Sequence, residues 1–330
     1  VANAQPMTPI THALLATAIA AMAIAVILRS PLARRGLDQP NARSMHTRAV
    51  PRTGGLGVLA GLSVSMLILA NPLPISIWAA LVLVVAISLL DDFRGLSPLT
   101  RLPLHLVAAA LVTHFGLPDA GWTVLVLTTL AIAWMINLYN FMDGSDGLAG
   151  GQAVFGFGTL AIAAWLGQDL GLACACAAIA GAAAGFLIFN LPPARIFMGD
   201  AGSTSLGLLA GAIGVLGVAR NLWSPIVPIL AFFPFVFDAS ATLLDRLCRR
   251  QRVWKAHREH AYQRLNLGGW GHRKTALAYF AWMAVSGTLA IASLGAHPEP
   301  SFLLFMTMAS AALYGIVRTR RPLQCNIRQK

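Results

Sequence analysis

Carboxylates are scarce in this chain: 12 Asp and Glu among 330 residues, against 24 Lys and Arg. Charged residues make up only 11% of the whole, where soluble domains carry about a quarter. Together with 57% hydrophobic residues, this excludes an ordinary soluble globular protein. Cysteine is equally sparse. Cys174 and Cys176 lie in an apolar Ala-rich stretch and Cys248 and Cys325 in basic segments, so no disulfide framework is expected and the C-x-C reads as packing. The chain also lacks a G-x-x-x-x-G-K-[ST] loop and a G-x-S-x-G elbow, which removes the usual basis for ATP-driven transport and for serine hydrolysis.

What the chain has instead is a series of charge-free stretches. Crossing about 30 Å of hydrocarbon takes about 20 helical residues. Residues 53–90 carry no Asp, Glu, Lys or Arg and are too long for one crossing, so Asn71-Pro72-Leu73-Pro74 reads as a hairpin between two spans. Spans are expected near 10–29, 54–70, 74–90, 102–116, 121–139, 151–167, 170–190, 203–219, 224–244, 275–295 and 301–317. The expected fold is an all-α integral membrane protein of about 11 transmembrane helices, forming a single polytopic domain over 1–330. The stretch from Val1 to Leu28 has no basic flank of the secretory type and reads as a retained span, with Met7 a candidate start.

Every Lys and Arg except Arg220 falls in one set of loops. Basic loops stay in the cytoplasm, so this parity places the N-terminus outside and the C-terminus inside a bacterial inner membrane. Charges beside membrane spans suit anionic lipid headgroups and a phosphorylated substrate; nucleic acid is not an expected partner.

Nine of the carboxylates fall on the cytoplasmic side, most of them at the inner ends of spans, where burying such a group is costly and usually functional. Asp91 and Asp92 adjoin directly after the third span, and two neighbouring carboxylates at a low-dielectric boundary call for a compensating cation. Asn137, Asn140 and Asp143 are spaced by three, on one side of a helix, before Gly144-Ser145-Asp146-Gly147 permits a sharp turn. Two prolines after Asn190 break the next helix, and Gly199 and Gly202 flank Asp200, which either caps a helix or serves a site. The basic segment 246–274 holds His257, Arg258, His260 and Arg264, read as cations for a phosphate or as a solvated charge run. The two His lack a third ligand at zinc-site spacing.

These clusters, in this order, resemble the polyprenyl-phosphate N-acetylhexosamine-1-phosphate transferase superfamily of WecA-, TagO- and MraY-like enzymes. The likeness runs over about residues 38–265. It begins with Asp38-Gln39-Pro40-Asn41-Ala42-Arg43, His46 and Pro51-Arg52-Thr53-Gly54-Gly55, and continues through Asp91-Asp92, the Asn137–Gly147 segment and Phe197-Met198-Gly199-Asp200-Ala201-Gly202-Ser203. The resemblance implies that undecaprenyl phosphate attacks the β-phosphorus of a UDP-amino sugar, giving a lipid diphosphate-sugar and UMP. It also implies Mg²⁺, with Mn²⁺ as the alternative, and cytoplasmic site loops near 30–53, 91–101, 137–150, 190–203 and 246–274.

By matching positions, the resemblance makes Asp91 and Asp92 the catalytic pair that handles the lipid phosphate, and Asp146 and Asp200 the metal ligands. Arg43, His46, Asn137, Asn140, Asp143, Asn190, Arg195, Phe197, Asp238, Arg258, His260 and Arg264 are the implied substrate-binding set, with Phe197 stacking on uracil. Packing is the alternative for Phe197, and the role of Asp238 stays open. Where WecA-like members carry H-I-H-H this chain reads His260-Ala261-Tyr262-Gln263. That variant is similar to the WbpL-like branch that starts O-antigen chains, which adds N-acetyl-6-deoxyhexosamines to N-acetylglucosamine as candidate sugars. A homodimer is an expectation by analogy. An ion-coupled transporter built on intramembrane Asp residues is the alternative class, and it would need carboxylates near the bilayer midplane and an internal repeat.

Overall fold

The computed structural model describes residues 8–38, 49–68, 73–94, 96–252, 257–294 and 300–319. Arg43, His46 and the Asn71-Pro72 turn lie outside these residues, and the side chain of Asp92 is likewise not described. Among the described residues the chain is all-α apart from one two-residue antiparallel pair, β1 (Leu37–Asp38) with β2 (Val50–Pro51). The main helices are α1 (Pro9–Arg29), α2 (Gly54–Ile68), α3 (Ile75–Arg94), α4 (Pro98–Gly116), α5 (Trp122–Met142), α6 (Leu148–Leu166), α7 (Leu170–Asn190) and α8 (Asp200–Ala219). They are followed by α9 (Ile226–Ala231), α10 (Phe233–Cys248), α11 (Gly271–Ala292) and α12 (Pro300–Thr319). A short helix, Ala261–Leu265, and a wide turn, Asn266–Trp270, lead into α11.

Among the described residues each expected span corresponds to helix, with two differences. The span expected at 224–244 is broken at Phe232, because Pro234 has no N–H to give and its ring crowds the carbonyl of Leu230 one turn earlier. The third span does not stop at Leu90: α3 runs on to Arg94, since no Pro or Gly stands before Gly95 to break it, and it carries Asp91 in its closing turns. Among the described residues seven helices are long and apolar enough to cross a membrane, and Gly54–Ile68 and Ile75–Asp91 are shorter apolar ones.

Small residues set the packing. α7 is rich in Ala and Gly and contacts α1, α2 and α6. A Cβ at Gly185 would meet the Thr17 carbonyl oxygen at 2.5 Å, and Thr17 Oγ1 donates to the Gly181 carbonyl at 2.8 Å, so α1 lies directly on the α7 backbone. α8 packs on α3, α5, α2 and α4. Its apolar stretch is 83% buried against 11% for α12, which makes α8 the axis of the bundle and α12 a peripheral helix. Asp200 is the first residue of that axis.

Candidate active site

The end of α8 is built by a loop that pairs with the start of α2. Phe197 N–H donates to the Pro51 carbonyl at 2.7 Å, Gly54 N–H to the Phe197 carbonyl at 2.9 Å and Gly55 N–H to the Met198 carbonyl at 2.8 Å. The backbones close to contact: a Cβ on Gly55 would lie 2.5 Å from the Cα of Gly202 and 2.6 Å from its nitrogen. Gly199 turns into α8 at φ +74, a conformation glycine adopts without strain. Two motifs about 150 residues apart in sequence thus form one floor, with Arg52 and Asp200 on it.

Arginines knit the carboxylates together. Arg101, in the first turn of α4, places Nη1 2.7 Å from Asp91 Oδ2 and 3.1 Å from Asp200 Oδ2. Arg52 Nη2 reaches Asp200 Oδ1 at 3.2 Å. Asp143 closes α5 at its C-terminal end. Burial, and then the negative charge of Asp200, push its carboxyl well above the ordinary range, with Arg52 pulling the other way. Asp91, Asp143 and Asp200 therefore share one electrostatic neighbourhood.

Asp146 sits on the next turn. Its Oδ2 accepts from Ala194 N–H at 3.0 Å, and His272 Nδ1 stands 3.4 Å from its Oδ1. Asn190 spans the same gap: Oδ1 accepts from Gly147 N–H at 2.8 Å and Nδ2 donates to the Ile196 carbonyl at 2.8 Å. Both ends of that buried amide are engaged within the protein. Among the described residues no three His, Cys, Asp or Glu side chains converge as a ready metal cage. A hard cation of the Mg²⁺ kind needs none, because it takes one or two carboxylates and completes its shell with phosphate oxygens and water. The carboxylate oxygens of Asp146 and Asp200 are of the donor chemistry that such an ion takes.

Residues 74–218, which carry all of these carboxylates, match the family described as glycosyl transferase family 4. A phospho-N-acetylmuramoyl-pentapeptide-transferase of Halalkalibacterium halodurans is 30% identical over 320 residues, covering 84% of this chain and 96% of its own. A second, from Moorella thermoacetica, is 30% identical over 324 residues, 86% of this chain and 98% of its own. The chain belongs to glycosyl transferase family 4. A further relative, 28% identical over 281 residues and 78% of each chain, is named a probable undecaprenyl-phosphate N-acetylglucosaminyl 1-phosphate transferase, from Bacillus subtilis.

The glycosyl transferase family 4 match ends before the 257–272 segment, yet this segment packs onto the site. Asp238, fully buried on α10, accepts from Ala261 N–H at 2.8 Å, Tyr262 N–H at 3.2 Å, the Tyr279 hydroxyl at 2.6 Å and the Thr242 hydroxyl at 3.2 Å. His260 Nδ1 lies 3.6 Å from its Oδ1. Asp238 thus caps the short Ala261–Leu265 helix from below. Tyr262 then donates to the Phe141 carbonyl at 3.1 Å and covers Gly144, which seats the segment against the end of α5. Glu259 gathers Arg246, Arg249 and Arg264. Burial raises the Glu259 carboxyl, but the Arg249 and Arg246 guanidinium groups outweigh it and hold the pKa below the usual value. Burial, then His260 and Arg246, lower His257 to about 4 and keep it neutral.

Of the other expected site residues, Asn137 and Arg195 make contacts away from the carboxylate oxygens. Asn137 Nδ2 donates within α5 to the Ala133 carbonyl at 2.7 Å, and Asn140 is half-buried one turn on. Arg195 turns back over the Phe189 ring, 4.7 Å from its centroid. Phe197 is half-buried, and Arg258 sits beside His257 on the covering segment. Sequence reasoning gave no site role to Arg52, Arg101, His272, Asn266, Tyr262 or Tyr279. Arg52, Arg101 and Tyr262 carried a signal, each standing in or beside a motif that the sequence offers; His272, Asn266 and Tyr279 carried none.

Proposed function

We propose that this protein transfers a sugar-1-phosphate from a UDP-amino sugar to undecaprenyl phosphate, releasing UMP and forming undecaprenyl-diphosphate-sugar. The observation that carries the reading is the Arg101 guanidinium bridging Asp91 and Asp200, with Arg52 on the far oxygen, inside a transferase family. Phosphoryl transfer asks for alignment and charge neutralisation more than for covalent help. Arg52 and Arg101 can exchange carboxylate for phosphate oxygens without moving far. Asp91 and Asp92 orient the lipid phosphate whose oxygen forms the new bond to the β-phosphorus as the bond to UMP breaks. Asp200 and Asp146 are the residues to hold Mg²⁺, or Mn²⁺, which when bound would neutralise the pyrophosphate charge. Phe197 offers its ring to the uracil, while Asn190 acts by fixing the turns at Gly147 and Ile196 and Asp238 by anchoring the segment with Arg258, His260 and Arg264.

The finer reading is a multi-pass enzyme of the bacterial inner membrane with about 11 crossings, the N-terminus outside and the site facing the cytoplasm, able to pair as a homodimer. The His260-Ala261-Tyr262-Gln263 sequence favours an N-acetylhexosamine or N-acetyl-6-deoxyhexosamine donor and a place at the first membrane step of O-antigen or related surface polysaccharide. The shared neighbourhood of Asp91, Asp143 and Asp200 and the transferase names of the relatives favour this over an ion-coupled transporter. Mass spectrometry of lipid products tests it, with UDP-GlcNAc, UDP-QuiNAc, UDP-FucNAc and UDP-MurNAc-pentapeptide offered separately to purified protein. A lipid diphosphate-sugar from one of the first three is the expected result, and no product from any donor would overturn the reading.

A further inference from the structure

The turn that carries Asp146 is held by residues beyond the family-matched stretch. Its sequence, Gly144-Ser145-Asp146-Gly147, is permissive by composition, and Gly147 takes φ +77. Something outside must fix it. His272, at the start of α11, places Nδ1 3.0 Å from Ser145 Oγ and 3.2 Å from the Asp146 amide nitrogen. Asn266 Nδ2 donates to Ser145 Oγ at 3.0 Å, which leaves the Ser145 hydroxyl proton for His272. Ser145 Oγ and the Asp146 amide thus meet on the one ring nitrogen, which also stands 3.4 Å from Asp146 Oδ1. The relay therefore runs Asn266 to Ser145 to His272, with the Asp146 amide ending on the same ring atom.

Two glycines bring the relay into place. Gly269 and Gly271 take φ +92 and +67, a region side-chain-bearing residues rarely enter, and so the chain leaves the Ala261–Leu265 helix, widens and enters α11 with Asn266 and His272 both reaching Ser145. On its other side Asp146 is held by Ala194 N–H at 3.0 Å. The carboxylate is thus clamped between the loop after α7 and the entrance of α11, close to the favourable positive end of a 22-residue helix.

We propose that His272 and Asn266 are positioning residues for the transfer reaction, setting the Ser145–Asp146 turn so that the Asp146 carboxylate faces the nucleotide pyrophosphate and its cation. The proposal deepens the function proposed above and rests on it. Partners that orient a metal-binding carboxylate typically contribute about 10–100-fold to metal affinity or activity, and displacing a reacting group by about 1 Å costs roughly 100-fold.

The test compares His272→Ala, His272→Asn and His272→Gln in the full-length protein in detergent. Asn places an oxygen where Nδ1 stands, and Gln places one where Nε2 stands. Three quantities are read: hydrogen exchange of the 143–149 segment, calorimetric affinity for UDP with Mg²⁺, and the Mg²⁺ concentration giving half-maximal UMP release. In His272→Ala, exchange is expected to accelerate, UDP–Mg²⁺ affinity to fall about 10-fold or more, and the half-maximal Mg²⁺ concentration to rise. His272→Asn restores all three and His272→Gln does not; Asn266→Ala moves them in the direction of His272→Ala. Unchanged exchange in His272→Ala overturns the proposal. So does faster exchange with wild-type UDP–Mg²⁺ affinity, which would make the relay structural only. If wild-type protein releases UMP from no donor, the proposed function falls, while exchange and UDP–Mg²⁺ binding still decide whether His272 sets the turn.

Discussion

Replacing Arg101 by Gln removes the cation shared by Asp91 and Asp200 while keeping most of the side chain's bulk. Arg101 is 29% exposed and its partners 11% and 17%. Exposed pairs contribute up to about 1 kcal/mol, and taking one partner from a fully buried pair costs about 3–5 kcal/mol; a site at this depth falls between, at about 1–3 kcal/mol. Asp200 keeps Arg52 at 3.2 Å, so the larger share falls on Asp91. The two carboxylate oxygens that met on one guanidinium nitrogen then face each other at no more than about 6 Å, a repulsion of about 3 kcal/mol at an effective dielectric near 20, before solvent screening. A divalent cation relieves it. Thermal unfolding in detergent, with and without Mg²⁺, reads both effects. Without metal, Arg101→Gln is expected to melt about 2–8 °C below wild type, and millimolar Mg²⁺ to recover more of that loss than it adds to wild type. A melting point within about 1 °C of wild type in metal-free buffer, with no larger response to Mg²⁺, would refute the shared-cation reading.

Gly55→Ala drives a methyl group into Gly202; unfolding midpoints should show about 1–3 kcal/mol of destabilisation, and turnover should fall as Asp200 shifts. Tyr279→Phe deletes the 2.6 Å hydroxyl donor to buried Asp238, which should cost about 1.5–3 kcal/mol and open the 257–265 segment to limited proteolysis without moving α1 or α7. Asp143 has a raised pKa, so the stability its neutral form contributes is present below the unfolded value near 3.9 and is lost as pH rises through the higher folded value. Asp143→Asn should therefore melt above wild type at neutral pH, with the gap closing as pH falls towards 4, and should turn over more slowly at every pH.

The helices were legible because charge is rare in this chain, so each apolar stretch stands out between basic loops. The break at Phe232 was less legible: Pro228 and Pro234 both lie in an apolar run, and only packing decides which of them interrupts it. The extension of α3 to Arg94 went unseen because two aspartates are disfavoured at the C-terminal end of a helix, and only the absence of Pro or Gly before Gly95 lets the helix continue. The acidic half of the site could be read for the same reason as the spans, since a carboxylate in an apolar context is costly and therefore meaningful. Its basic half could not. Arg101 and Arg52 were two among many cations, and which guanidinium reaches Asp200 is fixed by how α4 and the start of α2 approach α8. Asp238 stood out as a buried carboxylate, but its donors on Ala261, Tyr262 and Tyr279 lie more than 20 residues away in sequence. His272 gave no signal at all, since a single histidine in a basic segment looks like its neighbours.

The carboxylate cluster as a phosphoryl-transfer site is tested most directly by UMP release from purified wild-type and Asp200→Ala protein, with undecaprenyl phosphate and Mg²⁺ each supplied or withheld. Release by wild type that needs both lipid and metal, and a loss on the order of 10²–10³-fold in Asp200→Ala with unchanged membrane insertion, is the expected result. Wild-type turnover in Asp200→Ala, or release that ignores the lipid, would contradict it.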